Sequence, residues 1–173
     1  MLLKRFVDRI QRNKDIVTYL REKGVKIGEG CEIYSVESFG SEPYLVEIGN
    51  NVRINSGVSL VTHDGGVWVL RNLNPAFKEA DLFGKIIIHD NVHIGTNAII
   101  MPNVEIGSNC IIGCGAIVTH DIPDNSIAVG VPARVIESID EYIKKHEKSL
   151  VMTKGLSAIA KRNYLLEVMN TNK

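Results

Sequence analysis

The stretch LVTHDGGVWV, residues 60–69, places a histidine and an aspartate directly before two glycines. An imidazole titrates near neutral pH, so it can take a proton from a reacting group as a general base. His63 is therefore the candidate catalytic base. Asp64 is the candidate for orienting that base or for binding a hydroxyl group, because Gly65 and Gly66 allow the chain to turn there; a simple turn residue is the alternative.

His63 stands at the end of a sequence repeat of six residues. From Ile88 the aliphatic or small residues recur in steps of four and two, at Ile88, Val92, Ile94, Ala98, Ile100, Val104, Ile106, Cys110, Ile112, Ala116, Val118 and Ile122. A shorter run of the same pattern ends at Leu60, and the glycines and asparagines between apolar positions tolerate positive φ. Corners at fixed spacing predict a solenoid of short strands, whereas a β-sandwich, the alternative, has hairpin loops of variable length.

The chain of 173 residues has the size of a single domain. The pattern divides it into an N-terminal helix, the β-helical repeats and a C-terminal helical cap, at residues 1–25, 26–136 and 137–173. Two insertions, 34–47 and 64–86, interrupt the repeats. Because insertions in a solenoid project as loops from one face, we expect a cleft beside His63, at the start of the longer insertion.

The charges are segregated although the net charge is zero. Residues 1–26 carry eight basic and three acidic groups, residues 143–173 carry seven and two, and residues 27–142 carry five and fifteen. An acidic middle argues against a nucleic-acid-binding protein, which would present a basic face. The basic ends suit contact with an anionic membrane, but solvated helix surfaces are the commoner explanation for such charges.

Three observations bear on the compartment. The sequence contains no uncharged apolar segment long enough to span a membrane, and its first residues do not have the pattern of a secretory signal. Three cysteines, an odd number, predict reduced thiols in a cytoplasmic protein. A metal-binding pair formed by Cys110 and Cys114 is the alternative explanation for two of them.

The segment NVHIGTNAIIMPNVEIGSNCIIGCGAIVTHDIPDNSIAVGVPARVI, residues 91–136, resembles the left-handed β-helix acyltransferases. The resemblance is closest to the maltose, galactoside, and capsule or O-antigen sugar O-acetyltransferases, and VTHDIPDNSIAVGVPARVI is its most specific part. It implies a left-handed parallel β-helix, acetyl-coenzyme A (acetyl-CoA) as the acyl donor and a sugar or glycan hydroxyl as the acceptor. It also implies a homotrimer with sites between subunits.

The resemblance also implies roles for individual residues. In the related sugar acetyltransferases a histidine just before an extended loop is the catalytic base, and His63 occupies that place. The family positions that contact coenzyme A (CoA) correspond to Thr96, Cys114, Thr119 and Arg134. His93 stands where relatives often have a tryptophan near the acetyl group, so we expect it to bind the acceptor. Trp68 and Arg71, on the insertion, are further candidates for contacting a sugar.

Two other functions fit the same fold. A γ-class carbonic anhydrase binds zinc through three histidines, and two of these ligands lie close together at a spacing of about five residues. His89 and His93 are only four residues apart. We therefore predict no metal site. A non-catalytic β-helical scaffold would neither bind CoA nor depend on His63. The site residues favour an acetyl-CoA-dependent O-acyltransferase over both.

Overall fold

The computed structural model describes residues 16–34 and 39–171. Its strands are β1 (Lys26–Ile27), β2 (Glu32–Ile33), β3 (Val46–Ile48), β4 (Arg53–Ile54), β5 (Ser59–Leu60), β6 (Ile86–Ile88), β7 (His93–Ile94), β8 (Ile99–Ile100), β9 (Val104–Ile106), β10 (Ile111–Ile112), β11 (Ile117–Val118), β12 (Ser126–Val129) and β13 (Arg134–Ser138). The α-helices are α1 (Ile16–Glu22), α2 (Val67–Leu73), α3 (Ile139–His146) and α4 (Ala158–Thr171). Short 3-10 turns lie at Pro43–Leu45, Pro75–Phe77 and Glu147–Ser149.

The strands form three sheets whose neighbours come from successive coils of the chain. Sheet A has the order β1-β3-β6-β9, sheet B the order β13-β12-β10-β7-β4-β2, and sheet C the order β11-β8-β5. Among the strands of the described ranges, all pairs are parallel except β12 with β13, which is antiparallel and closes one end of sheet B. Three parallel sheets of this kind, flanked by helices, are typical of the left-handed β-helix and confirm the predicted fold class.

The six-residue pattern explains the core, because its apolar positions are the inward ones. Ile54, Ile94 and Ile112 stack in register along sheet B, and each is fully buried. Burial of one such side chain contributes about 1.5–3 kcal/mol, so a column of them stabilises a narrow solenoid. The strand residue next to each inward position, such as His93 beside Ile94, points away from the core, where its side chain can contact a ligand.

A ladder of asparagines lies at one corner of the β-helix. Asn91, Asn109 and Asn125 have φ values of 58°, 57° and 58°, in the left-handed region that asparagine tolerates. The side-chain amide of Asn91 donates to Asn109 at 2.8 Å, and that of Asn109 donates to Asn125 at 2.9 Å. The corner residue therefore both turns the chain and joins one coil to the next.

The predicted insertions contain regular structure. In the longer insertion, 64–86, helix α2 and a 3-10 turn precede a return segment that pairs with the start of the insertion, and Ile86 already belongs to β6. In the shorter one, 34–47, Val46 and Glu47 belong to β3. The predicted N-terminal helix is described only as α1, since residues 1–15 lie outside the described part of the chain.

By internal contacts the chain divides into two compact units, one ending at Tyr142 and the other starting at Ile143. The first contains the three sheets. The second contains α4, which exposes the apolar side chains of Ile159, Leu166 and Met169. No helix in the described ranges is long and apolar enough to cross a bilayer.

Candidate functional site

His63 lies at the edge where the chain leaves sheet C and, after the longer insertion, enters sheet A; we name this the C–A edge. Both ends of the insertion hold its backbone. His63 forms an antiparallel bridge with Phe83, the N–H of Gly84 donates to the Thr62 carbonyl at 2.9 Å, and the N–H of Asp64 donates to the Leu82 carbonyl at 2.8 Å. The insertion therefore closes on the histidine and fixes its position.

The imidazole of His63 is 49% exposed and has an aromatic ring and a carboxylate as neighbours. The Phe83 ring centroid is 6.4 Å away at an interplanar angle of 59°. The Nδ1 atom is 3.5 Å from Oε2 of Glu42, whose side chain is only 17% exposed. The hydroxyl of the fully buried Thr62 donates to the same carboxylate oxygen at 3.3 Å.

Glu42 was missed from the sequence, although a signal for it exists in the register. Ile27 pairs with Ile48 and Ile33 pairs with Ile54, so the first coil is 21 residues long at both positions. Glu42 precedes His63 by the same 21 residues, which places it one coil away on the same edge. The pattern of apolar residues could not show this, because residues 34–45 contain no hexapeptide.

Asp64 has a different contact from the one expected of a residue that orients the base. Its Oδ1 accepts a hydrogen bond from the backbone N–H of Gly66 at 2.7 Å, in the turn that leads to α2. The carboxylate beside the imidazole of His63 is that of Glu42. The contact of Asp64 is that of a turn residue.

Trp68 and Arg71 both lie on α2 but differ in what they contact. Trp68 is 69% exposed, so it is accessible to a ligand. The guanidinium of Arg71 donates to the carbonyl of Ala80 at 2.7 Å and forms an ion pair with Asp81. Arg71 therefore ties α2 to the returning chain, and its guanidinium is already engaged.

Thr96 and Cys114 stack at the corner between sheets B and C, which we name the B–C edge. The N–H of Gly115 donates to the carbonyl of Thr96 at 2.9 Å, and both Thr96 and Cys114 are exposed. A Cβ on Gly95 would lie 2.6 Å from the backbone nitrogen of Cys114, so only glycine allows the two coils to approach this closely. Closely spaced backbone and small side chains therefore form this edge.

The other two predicted CoA-binding residues lie elsewhere on the β-helix. Thr119 follows β11 on the C–A edge, two coils from His63, and its hydroxyl is 2.9 Å from Nδ1 of His120. Arg134 begins β13, opposite Val129, with an exposed side chain whose Nη1 donates to the carbonyl of Ala133. A single chain therefore distributes the predicted CoA-binding residues over both edges of sheet C and the end of sheet B.

His93 lies on the outer surface of sheet B, in register with Arg53 and Ile111. It lines a cavity of about 310 Å³ together with Asn51, Asn91, Asn109, Cys110 and Ile139, among others. Burial, and to a smaller extent the nearby Arg53, lowers the pKa of His93 below its ordinary value, so the neutral form is favoured. Sheet B is the face opposite the C–A edge, so one chain does not bring His93 to His63.

A larger cavity, of about 470 Å³, lies on sheet A and is lined by His89, Glu105, Asp121 and Asp124, among others. Its acidic groups are engaged within the protein. His89 Nε2 is 2.6 Å from Glu105, Asp121 accepts from the N–H of Glu105, and Asp124 accepts from the N–H of Ser108. Over residues 16–34 and 39–171, no three His, Cys, Asp or Glu side chains are placed to hold a metal ion.

Comparison with known proteins identifies the class that this fold and site define. Residues 85–120 match the family described as bacterial transferase hexapeptide (six repeats). The chain is 46% identical over 156 residues to protein CapG of Staphylococcus aureus, covering 89% of both proteins. It is 42% identical over 107 residues to the galactoside O-acetyltransferase of Escherichia coli, covering 61% of this chain but only 50% of that enzyme. The chain belongs to the hexapeptide-repeat acetyltransferases, which confirms the predicted enzyme class.

Solved structures agree on the fold. A hexapeptide-repeat acetyltransferase of Vibrio cholerae superposes with a TM-score of 0.54 at 23% identity, covering 67% of this chain and 63% of that one. The same enzyme has been solved in complex with acetyl-CoA. A maltose O-acetyltransferase of Clostridium difficile superposes with a TM-score of 0.50 at 23% identity, covering 78% and 83% of the two chains.

Proposed function

We propose that this protein transfers the acetyl group of acetyl-CoA to a hydroxyl of a sugar or polysaccharide precursor, with His63 as the general base. The observation that carries the proposal is the geometry of His63, an accessible imidazole held at the mouth of the longer insertion by hydrogen bonds from both of its ends. The similarity to a galactoside O-acetyltransferase supports a sugar as acceptor. The free cysteines Cys31, Cys110 and Cys114 are compatible with a cytoplasmic enzyme.

A neutral alcohol is a poor nucleophile, and His63 activates it by removing its proton. Its Nε2 removes the proton of the acceptor hydroxyl while the hydroxyl oxygen attacks the thioester carbonyl carbon. The carbon–sulfur bond then breaks, and the imidazolium of His63 returns the proton to the departing thiolate. The products are an acetyl ester and CoA with a free thiol. A well-placed general base contributes about 10²–10⁴-fold to such a transfer.

The B–C edge is the proposed donor surface. Gly115 is exposed, and a Cβ built there would meet no atom within 4 Å, so a long thin arm has room beside Thr96 and Cys114 along this edge. Thr119 and Arg134 would contact other parts of the donor. The exposed guanidinium of Arg134 is suited to a phosphate, with which it can form paired hydrogen bonds.

For the acceptor we propose contacts from the longer insertion and from sheet B. The exposed ring of Trp68 supports stacking on a sugar face. The neutral imidazole of His93, in a cavity of about 310 Å³, can donate and accept hydrogen bonds with hydroxyl groups. Arg71 would act by holding α2 in place. Asp64 remains a candidate for binding a hydroxyl.

We further propose that the enzyme is a homotrimer with its sites between subunits, and two features of sheet C support this. The C–A edge with His63 and the B–C edge with Cys114 flank the same face of the β-helix. A threefold axis in front of that face would bring the C–A edge of one subunit next to the B–C edge of its neighbour. The base of one subunit would then meet the donor surface of the next.

The outer surface of sheet C is suited to such an interface. Its strands present Ser59, Ile99 and Ile117 outward, all half-buried and uncharged. The outward positions of sheet A include Lys26, Glu47 and Glu105, and those of sheet B include Glu32 and Arg53. A face without charge costs less to remove from water than a charged one.

The test is acetyl-CoA thioester cleavage, followed as free thiol, across a panel of mono- and oligosaccharides. We expect acceptor-dependent release that falls by at least about 10²-fold in His63→Ala. His146→Ala, which removes a histidine of α3, is the matched control and should retain wild-type rates. Unchanged release in His63→Ala would show that another group is the base. Failure to bind or cleave acetyl-CoA with any acceptor would exclude the proposed function.

A further inference from the structure

Glu42 places a largely buried carboxylate against the proposed base. Its side chain is 17% exposed, and its Oε2 lies 3.5 Å from His63 Nδ1 and 3.3 Å from Thr62 Oγ1. A carboxylate removed from water needs partners, because an unpaired buried charge is costly. Within residues 16–34 and 39–171, its partners are the Thr62 hydroxyl and the His63 ring.

The backbone around Glu42 is shaped for this contact. Gly40 has φ of 60°, in the left-handed region, and a Cβ there would lie 3.3 Å from Thr62 Oγ1. The segment before Glu42 thus approaches the Thr62–His63 pair closely at a residue without a side chain. The 3-10 turn Pro43–Leu45 follows directly, with the N–H of Leu45 donating to the Glu42 carbonyl at 3.0 Å. The turn therefore fixes the backbone directly after Glu42.

We infer that Glu42 is a positioning residue, whose carboxylate accepts the Nδ1 proton of His63 and so directs Nε2 to the acceptor hydroxyl. The inference rests on the proposed function, in which His63 is the base. A carboxylate at Nδ1 selects the tautomer that carries its proton on that nitrogen, and it stabilises the imidazolium that forms during transfer. Asp64, adjacent in sequence, has its Oδ1 engaged by the N–H of Gly66 instead.

The first test compares steady-state kinetics of Glu42→Gln, Glu42→Ala and Glu42→Asp with the wild type. We expect kcat to fall by about 10- to 10²-fold in Glu42→Ala, less in Glu42→Gln, and to recover in part in Glu42→Asp, while KM for acetyl-CoA and for the acceptor stays within about twofold. Thr62→Val, which keeps the carboxylate but removes its hydroxyl donor, should lower kcat by a smaller factor.

The matched control is Glu47→Gln. Glu47 is a partly buried carboxylate of sheet A that pairs with Lys26 and Lys85, away from His63. Its loss should affect stability but leave kcat unchanged. Circular dichroism and thermal unfolding of each variant separate loss of activity from loss of folding.

The double variant distinguishes this inference from the proposed function. If Glu42 acts through His63, Glu42→Ala should cause no further loss in a His63→Ala background, since residues that act as a unit are not additive. An additional loss in the double variant would overturn the positioning role. Full activity of His63→Ala would instead overturn the assignment of His63 as base.

A spectroscopic measurement is independent of activity. Nitrogen shifts of ¹⁵N-labelled histidine report which ring nitrogen carries the proton, and we expect His63 to be protonated on Nδ1 in the wild type but to be a mixture of tautomers in Glu42→Ala. The same tautomer in both proteins would overturn the inference. A rise in acceptor KM without a fall in kcat would likewise overturn it, because Glu42 would then bind the acceptor directly.

Discussion

Mixing two inactive variants should restore activity if each site is formed by two subunits. His63→Ala removes the base from the C–A edge. Cys114→Trp places a bulky side chain on the B–C edge, and because Cys114 is exposed, this change leaves the core intact. Neither variant alone can form a complete site, but a mixed trimer contains neighbours that join an intact C–A edge to an intact B–C edge.

The activity expected of the mixture follows from the positions of the two edges. Within one chain, Cys114 is five residues from Thr119 along sheet C, about 17 Å in extended chain, and Thr119 is two coils, about 10 Å, from His63. A thioester carbonyl must come within about 3.5 Å of the reacting groups, so a donor lying along the B–C edge needs a His63 other than its own. In randomly mixed trimers from equal amounts of the two variants, about one site in four has both edges intact.

The assay is acceptor-dependent thiol release after the two variants are mixed, unfolded together and refolded. Wild type treated in the same way defines full activity, and each variant treated alone defines the background. We expect about a quarter of the wild-type rate, with light scattering showing three times the chain mass. If the mixture contains mixed trimers but its activity does not rise above that of the single variants, the shared site is refuted. A monomer that turns over acetyl-CoA would refute the trimer as well.

Three further outcomes are expected. The thiol of Cys114 is exposed and that of Cys110 buried with a raised pKa, so a thiol reagent should modify Cys114 first, and saturating acetyl-CoA should slow that reaction as measured by mass spectrometry. Ile94→Ala, at a fully buried position, should lower the free energy of unfolding by about 2–5 kcal/mol in denaturant titrations, whereas Ile159→Ala at an exposed one should change it by less than about 1 kcal/mol. Burial lowers the pKa of His93 in the folded protein below the ordinary histidine value of about 6.5. Below that pH the unfolded chain therefore binds more protons at His93 than the folded protein does, so stability is lost as the pH falls. His93→Gln should therefore show a shallower loss of stability between pH 7 and 5, and an equal slope in both proteins would contradict this.

Much of the fold could be predicted from the sequence because it depends on local order. A strand residue faces inward or outward according to its position in the hexapeptide, so the spacing of Ile94, Ile100, Ile106 and Ile112 already specified the buried columns. The corners followed from residues such as Asn97 and Gly115, which adopt positive φ at little cost. The regular structure within the insertions was not predicted, since their residues lack the repeat.

The candidate site was predictable only in part. His63 was visible because it ends a repeat at the start of a long insertion. The sequence offers Asp64, the adjacent residue, as the candidate for orienting it, whereas the structure places Glu42 beside the imidazole, one coil and 21 residues away. That contact depends on the register between coils, which no local sequence pattern encodes.

The sequence by itself determined the β-helix, its inward columns and the position of the exposed histidine, because each depends on periodicity within a few residues. Tertiary structure decided which groups meet. It placed Glu42 and Thr62 beside His63, engaged Arg71 with Asp81, and put His63 and Cys114 on opposite edges of sheet C. These relations depend on how coils of unequal length stack, and that depends on packing over the whole β-helix.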